Sequence, residues 1–100
     1  MDMDTIAERS LVIDCGDRKL EASVRLGCPV LDASGENWMC PYEVKVENES
    51  KSFRIHGIDS MQALVLAMKT LDVEIEVIAK KLGGTPQWLG EPFNSILGSR

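Results

Sequence analysis

The side chains in this chain that could do acid–base or nucleophilic chemistry are one histidine, His56, and three cysteines, Cys15, Cys28 and Cys40. A general-base histidine needs a carboxylate to orient it and a nucleophile within hydrogen-bond reach. Strand alternation sends His56 outward, whereas Cys28 and Cys40 fall on inward positions, where cysteines behave as small hydrophobes. The sequence therefore builds no Cys–His pair, and no catalytic residue is assigned. The cysteine spacings contain no C-x-x-C, and a single histidine does not complete an ordinary zinc site, so no metal and no cofactor are expected. If the second and third strands form a hairpin around Ser34, Cys28 and Cys40 come close enough to bridge under oxidation. A reducing cytosol would keep them as thiols. Cys15, in a short turn, is the thiol expected at the surface.

Two further groups merit a functional reading. Gly57, Asp59, Ser60 and Gln62 stand at a strand-to-helix junction, where free backbone N–H groups can hold an anion, and they are the candidate ligand- or anion-binding residues. Capping is the competing explanation. Asp59 can accept from the first turn and Gln62 can reach back three residues, which accounts for both residue types at this spacing. The tail TPQWLGEPFNSILGSR supplies Trp88, Leu89 and Phe93 as candidate partner-binding residues, and it is too apolar to be a free end. The structural alternative is an ordered strap over 85–98, with Ile96 and Leu97 completing the core. There is no Walker motif, no G-x-G-x-x-G and no G-x-S-x-G.

The element that must position these groups is a helix over about 60–82. Met61, Leu64, Met68, Leu71, Ile75, Ile78 and Leu82 recur at spacings of three and four, and this predicts that all seven lie on one inward stripe. Lys80 and Lys81 suit the last turn, Gly83 and Gly84 end it, and Pro86 blocks continuation. Lys69, Asp72, Glu76 and Lys80 read as a solvated face, while Val65, Leu66, Val73 and Val77 widen the apolar surface beyond what one stripe needs.

Four strands precede the helix, at about 5–14, 18–28, 38–47 and 52–57. In the second, Leu20, Ala22, Val24, Leu26 and Cys28 alternate with polar residues, and the third alternates Trp38, Cys40, Tyr42, Val44 and Val46. A turn at Asn48–Lys51 would set Val46 opposite Phe53 and Val44 opposite Ile55. Pro41 points outward and implies a bulge or an unpaired stretch. The fold expected is α+β, a four-stranded antiparallel β-meander followed by one long amphipathic helix packed on one face, with an ordered C-terminal tail.

One hundred residues fit a single domain, and 44% hydrophobic with 27% charged residues is the composition of a globular chain. A net charge of −5, with its 11 basic residues scattered, argues against nucleic acid or an anionic membrane as partner. The chain has no 18-residue apolar run, and MDMDTIAERS is acidic where a signal peptide is basic, so a cytoplasmic protein is expected.

Trp38-Met39-Cys40-Pro41-Tyr42, then Gly57-Ile58-Asp59-Ser60-Met61-Gln62-Ala63-Leu64, then an apolar helix and Trp88-Leu89-Gly90, resemble a family of small uncharacterised bacterial proteins described as a domain of unknown function. The resemblance covers about the last two-thirds of the chain. It implies the fold and a bacterial source, and it carries over no activity.

Three functional expectations follow. The first is a non-enzymatic interaction protein, accessory or immunity-type, setting an acidic surface against a basic partner. The second is a small-ligand binder or weak enzyme with a pocket between the sheet, the helix end and the C-terminal tail. The third is a bare structural module. A homodimer through a strand edge, or through the helix and tail, is expected alongside the first.

Overall fold

The computed structural model describes residues 3–96. The elements run β1 (Thr5–Asp14), β2 (Lys19–Gly27), β3 (Val30–Leu31), β4 (Trp38–Val46), β5 (Glu49–Gly57), α1 (Ser60–Leu82), β6 (Thr85–Trp88) and β7 (Glu91–Pro92). All seven strands join one antiparallel sheet, which corrects the expectation of a four-stranded meander. β1, β2, β4 and β5 do form consecutive antiparallel pairs, and the class remains α+β. The tail then adds β6 against the far edge of β1 and folds back as β7. The physical reason is that β1 would otherwise leave a row of N–H and C=O groups unpaired at a sheet edge, and a segment of four extended residues suffices to satisfy part of it. Leu89 and Gly90, both at positive φ, form the two-residue turn between β6 and β7. Leu97, counted above in the strap, lies outside the described residues.

The third unforeseen strand explains the proline in β4. β2 pairs with β4 over Tyr42–Val46, and β3 pairs with the same side of it at Trp38 and Met39. Pro41 stands in the gap, where no ladder bond on that side requires its missing N–H. On its other side β4 pairs with β5 in a register different from the expected one: Tyr42 faces Phe53 and Cys40 faces Ile55. The chain turns on Glu47 and Asn48 alone, with Glu47 at φ 53°, so β5 starts earlier and Val44 and Val46 face Lys51 and Glu49. The Tyr42 and Phe53 rings consequently stack, 5.3 Å between centroids.

α1 covers the face carrying Leu11, Ile13, Leu20, Val24, Leu26, Cys40, Tyr42 and Val44. Its buried residues are Ala63, Ala67, Leu71, Ile75 and Ala79. The inward stripe expected from the large side chains is thus rotated. Leu64, Met68, Ile78 and Leu82 are only half-buried along its flank, and Met61 is 76% exposed. Three alanines at the contact let the helix backbone lie close on the sheet, and the larger side chains then straddle that line instead of standing beneath it.

Candidate functional site

At the start of α1, Asp59 is extended (φ −135°, ψ 176°), and its Oδ1 accepts from Gln62 N–H at 2.7 Å. Gln62 Oε1 in turn accepts from Ile58 N–H at 2.7 Å. Both polar side chains are therefore engaged in capping, with Gln62 reaching back four residues to Ile58 instead of three to Asp59. Ser60 is half-buried beside them. Gly57 is fixed by packing: a Cβ there would stand 2.5 Å from the backbone N of Ala63, so only glycine lets strand and helix come this close. At the other end Gly83 adopts the left-handed conformation (φ 70°), and Lys80 and Lys81 occupy the last turn.

The C-terminal residues are drawn into the chain by two contacts. The guanidinium of Arg9 lies 3.8 Å from the Trp88 ring centroid and 5.9 Å from that of Phe93. Asp72 on α1 accepts from Ser95 Oγ at 2.8 Å and from Ile96 N–H at 2.7 Å. Phe93 is 9% exposed and Trp88 half-buried, whereas Leu89, at the β6–β7 turn, is 68% exposed. A hollow of about 330 Å³ opens where the second half of α1 meets β6 and the tail, with Val73, Glu76, Lys80, Phe93 and Asn94 among its lining residues.

His56 Nε2 lies 3.9 Å from Asp32 Oδ2. The hydrogen bond from the Ser34 hydroxyl, with a backbone bond from Ser34 N–H, holds the Asp32 carboxyl below the usual carboxylate range. Ser34 thus donates to the carboxylate instead of presenting itself to the imidazole, which is not the arrangement of an activated nucleophile. The cysteines are free thiols. Cys15 Sγ donates to Leu82 C=O at 3.6 Å, which ties the first turn to the end of α1 and leaves this thiol half-buried. Burial, with Cys28 nearby, pushes the Cys40 thiol up. Among the described residues no group of three His, Cys, Asp or Glu side chains could hold a metal ion.

The sheet face away from α1 is polar and crossed by a charge ladder. Arg25 Nε donates to Glu8 at 2.6 Å and its Nη1 lies 3.8 Å from Glu43, and the Glu8 bond chiefly raises the guanidinium pKa. Two larger open hollows, of about 570 and 850 Å³, lie on this side. On the opposite side of the molecule, α1 shows solvent Met61, Val65, Val73 and Val77 along an i, i+4 row interrupted by Lys69, with Ile58 just before it.

Sequence reasoning missed Asp32, Arg9 and Asp72 as anchoring residues. Asp32 sits in a loop of small polar residues, and Asp72 reads from sequence as part of the solvated face. Arg9 falls in the segment 5–14, whose apolar residues cluster at its end as Leu11, Val12 and Ile13 and so mark no alternating inward side. A Domain of unknown function (DUF6968) model matches residues 7–97. The chain belongs to that family. No curated protein and no solved structure matches it. No helix among the described residues is long and apolar enough to cross a membrane.

Proposed function

We propose that this member of the family is a non-enzymatic interaction protein, bacterial in source and cytoplasmic, that engages a protein partner through the outward face of α1. The observation that carries this reading is the row Met61, Val65, Val73 and Val77. Valine is β-branched and costs about 0.5 kcal/mol or more per helix position relative to alanine. Val73 at 57% and Val77 at 53% exposed recover little of that cost by burial. A contact surface gives these residue types a use that the chain alone does not. The acidic balance of −5 suits a basic partner, the free thiols suit a reducing compartment, and the W-x-C-x-Y and G-x-D-S-x-Q-A-L segments support a bacterial source. Capture from a native host lysate at low salt tests the reading: a stoichiometric partner is expected, and its absence removes the support.

The hollow of about 330 Å³ between α1 and the tail favours a second reading, a small-ligand binder. A concentration-dependent thermal shift with a metabolite from a broad panel would support it, and a flat response across the panel would count against it.

A further inference from the structure

We propose that β5 pairs antiparallel with β5 of a second copy of this chain, joining the two sheets across a two-fold axis at Phe53. The inference extends the interaction reading to a surface on a different side of the molecule from the α1 row. β5 is nine residues long and pairs with β4 in unbroken register, and among the described residues β4 is its only strand neighbour. Natural sheets blunt such edges with short strands, prolines, bulges or charges. At the opposite end of the sheet the tail covers β1 at Val12, Ile13 and Asp14 through β6 and finishes in a two-residue β7 at Pro92. β5 has neither a proline nor a bulge; its charges are Glu49, Lys51 and Arg54, with Lys51 on the same face as Phe53, and the register below sets none of them opposite a like charge.

The two-fold arrangement follows from the side chains. An axis normal to the sheet keeps inner positions opposite inner positions, so residues that face each other must be of the same parity. With Phe53 opposite Phe53, Lys51 faces Ile55 of the second copy, Ser52 faces Arg54, and Ser50 faces His56. No like charges stand directly opposite one another in that register, although the chain as a whole carries −5. Phe53 is half-buried, stacked on Tyr42 on the β4 side and packed at the margin of the core. A second Phe53 across the edge extends this pair into a four-strand row of rings, the type of cross-strand contact that stabilises sheets.

Disulfide trapping tests both the pairing and its register. In a Cys15→Ser, Cys28→Ser background, Ser52→Cys with Arg54→Cys places thiols at directly opposed outward positions. Opposed Cα atoms in an antiparallel pair stand within the span a disulfide bridges. The double variant is expected to give a covalent dimer under mild oxidation, and Ser52→Cys alone to give far less. Both sites are solvent-facing, so folding is not at stake. In parallel, the unmodified chain is expected to sediment as a dimer at high micromolar concentration, with Phe53→Lys weakening association about tenfold or more. A chain that sediments as a monomer overturns the inference and leaves the α1 reading standing. A dimer that Val65→Lys with Val73→Lys dissolves, but the double cysteine variant does not trap, also overturns it by placing the self-contact on α1.

Discussion

Asp32 is the residue that ties the β3–β4 loop together through its carboxylate. Its carboxyl titrates below the usual carboxylate range because the ionised form accepts from Ser34 and lies near His56. The stabilisation it provides is therefore present above the unfolded pKa of about 3.9 and is lost as pH falls through the lower folded value. Asp32→Asn should be less stable than the wild type at neutral pH, with the difference closing below about pH 4. Urea midpoints at the two pH values check this, and a pH-independent difference would contradict it. Gly57 tests a steric claim instead. Gly57→Ala sets a methyl 2.5 Å from the Ala63 backbone nitrogen, so the strand end or the helix start must move, at about 1–3 kcal/mol. A melting temperature unchanged by this substitution would show that the junction is looser than its distances imply. The helix cap was legible in the sequence because every partner lies within four residues. Asp32, by contrast, meets His56 only after β4 and β5 have folded back beside the loop, and nothing local announces that contact.

At the scale of elements, the rotated face of α1 separates two kinds of position that hydrophobic periodicity treats alike. Leu71 is fully buried and Met61 mostly exposed. Leu71→Ala should cost about 2–5 kcal/mol and Met61→Ala no more than about 0.5 kcal/mol by denaturant unfolding. Equal costs would restore the stripe that the large side chains suggest. Periodicity found the helix but not its contact line, because alanines weigh little in any count of apolar residues and yet decide how closely the helix can approach the sheet. The register of β4 and β5 was hidden for a related reason: Glu47 turns at positive φ, a conformation its residue type does not advertise. β6 was obscured by Pro86 and by its pairing with β1, more than seventy positions away in sequence. Alternation within β2 and β4 was readable because one face of each meets the core and the other meets water.

For the whole molecule, the tail contributes to stability and the outward face of α1 carries the proposed contact. The tail pairs with Val12, Ile13 and Asp14 of β1, buries Phe93 and is fastened by Arg9 and Asp72. Truncation before Thr85 should lower stability by several kcal/mol, since burying a large apolar side chain is worth about 1.5–3 kcal/mol. Equilibrium unfolding of the shortened chain checks this, and unchanged stability would mean that the tail is a passenger. With Trp88 and Phe93 used internally, the row of Met61, Val65, Val73 and Val77 is the exposed apolar surface on which the proposed contact rests. The most direct measurement is a paired capture from host lysate with the wild type and with Val65→Lys, Val73→Lys, helix content being matched by circular dichroism. The account predicts a stoichiometric partner on the wild type that is lost from the variant, whereas equal recovery by both would contradict the assignment of this face as the contact surface.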